Sequence, residues 1–212
     1  MYDKIIFIDF DGTITSEDTL VGALRLFASK DEIEEKNKAI FKKEVTLSQV
    51  LREAFERTLS SNKKQILDYL KTVEIRDGFE KFLDYANFKS IPVVVISGGL
   101  DIMVDYKIGK YKDKIKDIYS VKLDTTSEYM KLKSDYDDGD ELLKKTDIMK
   151  KYSYNKAICI GDSHTDVKMS LASDIVFARD LLVDYMVKLG KEFYLWNDFY
   201  DIITVLNEDL AD

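Results

Sequence analysis

Residues 4–13 form the sequence KIIFIDFDGT, and the inference of the fold begins from this stretch. Its apolar, β-branched run over residues 4–10 stops at an Asp-Gly pair, which predicts a buried parallel strand ending in a loop. Ligand sites in open α/β sheets form beyond the carboxyl ends of such strands. A solvated turn would also explain Asp9 and Asp11, because Asp-Gly is a common turn pair. Two carboxylates directly after an apolar strand nevertheless favour a functional site.

Similar apolar runs recur along the chain and are separated by helical patterns. Four of them are predicted to be strands: residues 92–97 (PVVVIS), 156–161 (KAICIG), 174–178 and 193–196. Strands that alternate with helices predict an α/β fold, a doubly wound parallel sheet of the Rossmann-like kind. Residues 115–140 fit this alternation less well. There we predict a strand at 118–123, a second within 129–136, and a turn at 135–140.

The helical stretch over residues 15–76 is far longer than one crossover between parallel strands requires. We therefore predict that it is an inserted helical cap. Residues 1–14 and 77–212 would then form the catalytic core. A helix at residues 79–88 would complete the crossover to the second strand.

The cap carries its own helix signals. Thr46 with Gln49, and Asn62 with Gln65, have the spacing of capping boxes, and each pair predicts the start of a helix. Three phenylalanines are expected in the core of the cap: Phe27, Phe41 and Phe55.

The composition limits the classes of function. The net charge is −8 and the isoelectric point is about 4.9, which argues against binding to nucleic acid or to an anionic membrane. A small anionic substrate is still compatible with this charge, because a bound cation can invert it locally. Cys159 is the single cysteine and cannot form an internal disulfide. With no apolar stretch long enough to cross a bilayer, the expected location is the cytoplasm.

Two further motifs fall on the same predicted edge of the sheet as Asp9. Ser97-Gly98-Gly99 follows the second strand, where a hydroxyl and backbone N–H groups can bind an anion. A lysine, Lys144 or Lys145, begins the helix before the next strong strand. A turn and a surface charge would explain these motifs equally well when each is taken alone.

Residues 161–166 (GDSHTD) follow the third strong strand and bring Asp162 and Asp166 to the same edge. Together with Asp9 and Asp11 they make four carboxylates. Two like charges about 4 Å apart repel by roughly 4 kcal/mol at an effective dielectric of about 20. A divalent cation would compensate this repulsion, and oxygen ligands without a Cys or His cluster favour Mg²⁺. His164 is expected to face solvent.

These motifs resemble those of the haloacid dehalogenase-like hydrolases, in the family's order: DFDGT at 9–13, SGG at 97–99, the lysine, and GDSHTD at 161–166. The helical insertion resembles the cap of the subgroup that contains phosphoserine phosphatase. This resemblance implies a Mg²⁺-dependent phosphatase that hydrolyses a small phosphorylated metabolite through a phospho-aspartate intermediate.

The resemblance also implies roles for the matching residues. Asp9 would be the nucleophile, and Asp11 would protonate the leaving alcohol and then activate water. Mg²⁺ would be bound by Asp9, the backbone carbonyl of Asp11 and Asp162, with Asp166 orienting these ligands.

The phosphate would be held by residues from three motifs: Thr13, which also shapes its loop, Ser97, Gly98 and Lys145 (or Lys144). Asp18, at the junction of core and cap, is expected to contact the substrate.

A finer resemblance concerns the strings DFDGTIT, VISGGLD, IGDSHTDV and FARDLL. They are similar to the methionine-salvage phosphatases that act on 2-hydroxy-3-keto-5-methylthiopentenyl-1-phosphate. Phosphoserine phosphatases usually have glutamate at the position of Asp18. They also usually have Gly-Asp-Gly and Asn-Asp where this chain has Asp162-Ser163 and Thr165-Asp166. A phosphoserine phosphatase or a phosphomutase is the alternative prediction.

Two other classes share part of this pattern. Phosphorelay receiver domains combine acidic residues, a hydroxyl and a lysine on a similar sheet, but they lack a cap and place the acceptor aspartate on a later strand. A binding protein without catalysis would be expected to lose Asp9, Asp11 or the lysine. A dehalogenase would lack the second carboxylate, Asp11.

Overall fold

The computed structural model describes residues 1–209, which form one sheet covered by helices. The strands are β1 (Tyr2–Ile8), β2 (Val93–Leu100), β3 (Asp117–Asp124), β4 (Lys131–Lys133), β5 (Tyr154–Gly161), β6 (Ile175–Ala178) and β7 (Tyr194–Leu195). The helices are α1 (Thr19–Leu24), α2 (Lys30–Phe41), α3 (Leu47–Glu56), α4 (Lys63–Leu70), α5 (Phe79–Phe88), α6 (Asp101–Ile108), α7 (Lys145–Met149), α8 (Val167–Leu171), α9 (Asp180–Leu189) and α10 (Phe199–Asp209). Short 3₁₀ turns lie at Ser60–Asn62, Gly109–Lys114 and His164–Asp166.

The sheet has the order β4-β3-β2-β1-β5-β6-β7, and every neighbouring pair is parallel except β3 and β4. In the middle, Ile6 of β1 pairs with Val93 of β2 on one side and with Ile158 of β5 on the other. The chain builds one half of the sheet and then crosses to the other side of β1. The carboxyl ends of β1 and β5 therefore flank the point at which ligands bind in such sheets. The predicted fold class is confirmed.

The apolar runs are buried because helices cover both faces of the sheet. Four consecutive residues of β1, Ile5 to Ile8, are fully buried, and so are Ala157 to Ile160 in β5. A strand buried on both faces has no polar side, which explains its continuous apolar sequence.

Strand β2 differs from the sequence-based expectation. It was expected to stop at Gly98-Gly99, but it continues to Leu100. Its pairing with β3 shifts between Ile96 and Leu100, so an irregularity in the ladder contains both glycines. Glycine tolerates such a bulge inside a strand. The strand expected within residues 129–136 is confirmed as the short antiparallel β4.

The insertion between β1 and α5 consists of helices α1 to α4 and begins and ends at neighbouring points. Ser16 donates its backbone N–H to Glu74 at 2.9 Å, and Arg76 donates to Ile14 at 2.8 Å. Thr15 and Ile75 form an antiparallel bridge between these bonds. Both connections to the core thus lie side by side. The division into a core and a cap of residues 15–76 stays a prediction.

The helix signals of the cap had mixed success. The capping box at Thr46 and Gln49 is confirmed, with both of its hydrogen bonds in place at the start of α3. At Asn62 the predicted helix start is confirmed, since α4 begins at Lys63, but the capping box is wrong: Asn62 ends a 3₁₀ turn in a helical conformation and makes no capping bond.

The cap aromatics also differ from one another. Phe55 is buried and meets the ring of Phe27 edge to face, with the ring centres 6.2 Å apart. Phe41 was expected in the core of the cap, but it is 89% exposed. It is the last residue of α2, a helix without a fully buried residue, so no second layer covers it.

A segment of the core, residues 125–143, lies against the cap and is called the strap below. Met130 donates its backbone N–H to Thr58 at 2.9 Å. The Arg52 guanidinium of α3 pairs with Asp137 of the strap at 2.6 Å. The cap is therefore held to the core at the strap as well as at its two chain connections.

No helix within residues 1–209 is both long and apolar enough to cross a membrane. The cytoplasmic location and the lack of nucleic-acid and membrane partners stay predictions.

Candidate active site

The side chain of Asp9 lies just beyond the end of β1 and is almost fully buried. The ammonium of Lys145, the first residue of α7, contacts the Asp9 carboxylate and lies 2.6 Å from Oδ1 of Asp166. Lys145 is itself 3% exposed, so its charge depends on these two carboxylates for compensation.

Asp162 and Asp166 come from the segment that follows β5. Asp166 is fully buried, and its Oδ2 accepts the backbone N–H groups of Asp162 at 3.0 Å and Ser163 at 3.1 Å. These two bonds fix its carboxylate at the base of the site. The ligand oxygens of Asp9, Asp162 and Asp166 all lie within 4.8 Å of one another.

The loop of residues 10–15, called the β1 loop below, faces this acidic group. The Thr13 hydroxyl donates to Oδ1 of Asp162 at 3.0 Å. Gly12 has a φ of 80°, and a Cβ there would lie 2.5 Å from Oδ2 of Asp162. Only glycine combines this backbone conformation with such a close approach of a carboxylate.

Asp11 is held by hydroxyl groups from two elements. Ser97 in β2 donates to Oδ2 of Asp11 at 2.8 Å, and the Thr19 hydroxyl in α1 donates to Oδ1. Ser97 in turn accepts the N–H of Gly99 at 2.9 Å. The Asp11 carboxylate is thereby oriented by the core on one side and by the cap on the other.

Burial shifts the proton affinities of these groups. Desolvation and the nearby Asp18 raise the pKa of Asp11 to about 6. Desolvation and the Asp166 charge raise the pKa of Asp162 to about 8. Burial also raises the pKa of Asp9, against the opposing effect of Lys145. For Lys145, burial alone lowers the pKa, but its two carboxylate partners together raise it above its usual value.

A cavity of about 590 Å³ opens above Asp9 between the core and the cap. Asp9, Asp11 and Lys145 lie at its base. Its walls are largely apolar and include Leu20, Val21, Leu24, Leu51, Leu142 and Leu143.

The cap contributes two cations to the cavity wall, and both are paired. Lys36 lies 2.6 Å from Glu53, and Arg57 lies 3.1 Å from Glu32. An anionic group at this end of a ligand would therefore meet cations whose charge is already compensated by glutamates.

Comparison with known proteins assigns the fold and site to a family. A family model described as haloacid dehalogenase-like hydrolase matches residues 6–170, which is most of the chain.

The chain belongs to the haloacid dehalogenase-like hydrolase family.

The relatives of this hydrolase are phosphatases. A protein of Microcystis aeruginosa named 2-hydroxy-3-keto-5-methylthiopentenyl-1-phosphate phosphatase is 38% identical over 201 residues, which cover 94% of this chain and 95% of the relative. A protein of Lysinibacillus sphaericus with the same name is 31% identical, covering 96% and 94% of the two chains. The family and these relatives identify the chain as a phosphoric monoester hydrolase.

Solved structures agree on the fold of this hydrolase. A phospho-aspartyl intermediate analogue of phosphoserine phosphatase superposes with a TM-score of 0.71, at 18% identity, over 97% of this chain and 99% of the other. A phosphoserine phosphatase from T. onnurineus gives 0.68 at 19% identity, over 97% and 94%. At this level of identity the likeness shows a shared fold and no more.

The hydrolase brings most of its sequence-predicted site residues together, though not all at the cavity. Gly98, Asp18 and His164 line the cavity. Thr13 and Ser97, which were expected to hold phosphate, are fully buried and are not among the residues that line the cavity. Their hydroxyls donate to Asp162 and Asp11, and their contact with phosphate stays a prediction.

The structure distinguishes the two candidate lysines. Lys145 reaches Asp9, whereas Lys144 points away and pairs with Asp138 at 3.3 Å. Thr19 was not singled out from the sequence. Its position directly after Asp18, the N-cap of α1, was the available signal.

The acidic group fits a hard divalent cation. Lys145 compensates Asp9 and Asp166, but no Lys or Arg nitrogen within residues 1–209 pairs with Asp162. A nearly buried carboxylate without a cation partner, next to two more carboxylates, is the arrangement that a bound cation would stabilise. Three carboxylates without a His or Cys cluster are the ligand type that Mg²⁺ prefers.

Proposed function

We propose that this hydrolase is a Mg²⁺-dependent phosphatase whose Asp9 carboxylate attacks phosphorus and becomes transiently phosphorylated. The observation that carries the proposal is the position of Asp9. It lies at the base of the cavity, in contact with Lys145 and within 4.8 Å of Asp162 and Asp166, while Asp11 lines the same cavity.

The first step forms a bond between an Asp9 oxygen and phosphorus and breaks the bond from phosphorus to the ester oxygen. Asp11 donates its proton to the departing alcohol. Asp11 then takes a proton from water, whose oxygen attacks the phospho-aspartate and releases phosphate and Asp9. A pKa of about 6 suits a carboxyl group that must act as acid and then as base.

Charge on the transferring phosphoryl oxygens is balanced by the Lys145 ammonium. Asp9 and Asp162, with the Asp11 backbone carbonyl, would hold Mg²⁺, and Asp166 would orient these ligands. When bound, the ion supplies positive charge that neutralises phosphate oxygens. Gly98 lines the cavity wall, and its backbone N–H would contribute a hydrogen bond to the phosphate.

We propose the ester named for the relatives, 2-hydroxy-3-keto-5-methylthiopentenyl-1-phosphate, as the substrate. Its methylthio end is uncharged, and the walls of the cavity above Asp9 are largely apolar, with leucine the most frequent residue. Phosphoserine carries a carboxylate, yet the cap cations Lys36 and Arg57 are already paired with glutamates. Asp18 at the cap junction would contact the substrate.

The test compares three Asp→Asn variants by phosphate release with and without Mg²⁺. Asp9→Asn is expected to abolish turnover, because an amide is a poor nucleophile. Asp11→Asn is expected to lower turnover by roughly 10²-fold or more and to accumulate phospho-aspartate, visible by mass spectrometry. Asp147→Asn, on an exposed carboxylate of α7, is the control and should match the wild type.

Undiminished activity of Asp9→Asn would refute the proposal that Asp9 is the nucleophile. Equal turnover with and without Mg²⁺ would refute the proposal that Mg²⁺ is the cofactor. For the substrate, kcat/KM on the salvage ester should exceed that on phosphoserine, and the reverse order would favour a phosphoserine phosphatase.

A further inference from the structure

Arg76 lies where the chain returns from the cap to the core, next to the β1 loop. Its backbone N–H bonds to Ile14, one residue after the bridge between Thr15 and Ile75. Its side chain turns to the same loop and is half-buried. Arg76 therefore contacts the loop through both its backbone and its guanidinium.

The guanidinium donates to three backbone carbonyls of the β1 loop. Its Nε lies 3.0 Å from the Thr13 oxygen, and its Nη2 lies 2.7 Å from the Gly12 oxygen and 3.2 Å from the Thr15 oxygen. A planar guanidinium with fixed donor directions can meet several carbonyls at once, which a lysine ammonium cannot reproduce.

The loop is also held by hydrogen bonds within its own segment, several of them to one carbonyl. The Phe10 carbonyl accepts the N–H groups of Ile14 at 3.0 Å and Thr15 at 3.1 Å. The loop is thus tied inward at Phe10 and outward at Arg76. Asp11 and Gly12, which follow Phe10 directly, are the part of the loop that faces the cavity and Asp162.

Aromatic packing holds Arg76 in place. Its Cζ lies 5.4 Å from the ring centre of Trp196, which is buried. The Arg179 Cζ lies 5.1 Å from the same ring, and both guanidiniums donate to the Asn197 carbonyl. Arg179 shares these surroundings with Arg76 but makes no hydrogen bond to the β1 loop among the described residues.

We infer that Arg76 is a positioning residue for phosphoryl transfer, which fixes the β1 loop so that the Asp11 carboxyl faces the leaving oxygen. This inference rests on the proposed function, in which Asp11 is the general acid. Among the described residues, Arg76 neither lines the cavity nor pairs with a carboxylate of the acidic group, so its direct contacts with the site are its hydrogen bonds to the loop. A displacement of the acid by about 1 Å can cost roughly 10²-fold in rate.

The experiment compares two phosphate esters whose leaving groups differ in their need for a proton. The alkoxide of n-butyl phosphate must be protonated as it leaves, whereas p-nitrophenyl phosphate releases a stable anion. Arg76→Lys keeps the positive charge but removes the planar guanidinium and its fixed N–H donor directions. It should lower kcat/KM by roughly 10²-fold for butyl phosphate and by less than roughly 5-fold for the nitrophenyl ester.

Arg179→Lys is the matched control, because it changes the other guanidinium on the same indole ring. Its ratio of the two kcat/KM values should equal that of the wild type. If Arg76→Lys does not fold, Arg76→Gln is used, because it retains two N–H donors on an uncharged side chain. Its kcat/KM for butyl phosphate, divided by that for p-nitrophenyl phosphate, should likewise be lower than in the wild type.

A role of Arg76 in folding alone would reduce both esters equally, or neither, together with the melting temperature. An unchanged ratio in a folded Arg76 variant therefore overturns the inference. Failure of the proposed function gives a different result: the wild type would hydrolyse neither ester, or Asp9→Asn would remain active. The inference about Arg76 would then fall with it.

Discussion

Replacement of Lys145 by methionine tests how the acidic group is balanced. Methionine keeps most of the apolar stem and removes the charge, so the change leaves no large cavity. Two carboxylates, Asp9 and Asp166, would lose their cation inside the protein, where the side chains are 5% and 0% exposed. At a separation of 4.8 Å or less, each pair of ionised carboxylates repels by at least about 3.5 kcal/mol at an effective dielectric of roughly 20.

Protonation of one carboxyl relieves part of this repulsion. We therefore expect a loss of about 3–5 kcal/mol in the free energy of unfolding, the usual cost of breaking a buried ion pair from one side. For a chain of this size, that loss lowers the melting temperature by roughly 6–20 °C. The measurement is thermal and urea unfolding in EDTA and again in Mg²⁺, which should stabilise the variant more than the wild type.

Lys144→Met provides the matched control, since Lys144 is the preceding residue and pairs only at the surface. Its loss should stay below about 1 kcal/mol. Equal stability of both variants in EDTA would show that Lys145 does not compensate the acidic group, and the account of the site's electrostatics would be wrong.

Two further predictions concern the packing of helices within the cap and the attachment of the cap to the strap. In Gly22→Ala a Cβ would lie 1.9 Å from the hydroxyl of Tyr69, so urea unfolding should show that the free energy of unfolding falls by about 1–3 kcal/mol. Gly109→Ala is the control, because a Cβ there meets open space and should cause no such loss. An unchanged stability of Gly22→Ala would contradict the packing of α1 on α4. Asp137→Asn should cost about 1 kcal/mol at pH 7 by weakening the bond to Arg52 at 2.6 Å. Burial alone would raise the pKa of Asp137, but the contact with Arg52 holds this pKa below its usual value. The contribution of the ion pair to stability is therefore complete above about pH 4 and disappears as the pH falls further. A stability difference between Asp137→Asn and the wild type that persists at pH 2 would argue against the ion pair.

Local signals in the sequence were sufficient to predict the central strands and the acidic residues that follow them. The runs around β1 and β5 are apolar because both faces of those strands are covered, and this leaves a direct mark on the sequence. The helix expected at residues 79–88 is confirmed as α5. The capping box at Thr46 was also predicted correctly, because its two hydrogen bonds join residues only three positions apart.

Predictions that depended on distant contacts were less successful. Lys144 and Lys145 are adjacent at a helix start, and consecutive residues of a helix point about 100° apart. Only the placement of α7 against β1 decides which of them reaches Asp9. Phe41 carries a core-like side chain, but no element of residues 1–209 covers the end of α2 at that point.

The sequence by itself determined the kinds of groups available: a strand ending in two carboxylates, a hydroxyl, a lysine and a second acidic pair, in the order of the family. Tertiary structure decided their partners. Lys145 meets Asp9 across 136 positions of the chain because β1 and β5 are neighbours in the sheet. Arg76 and Thr19 join the site only because the cap begins and ends beside the β1 loop. Such contacts follow from the order of strands and the packing of helices, which local periodicity does not encode.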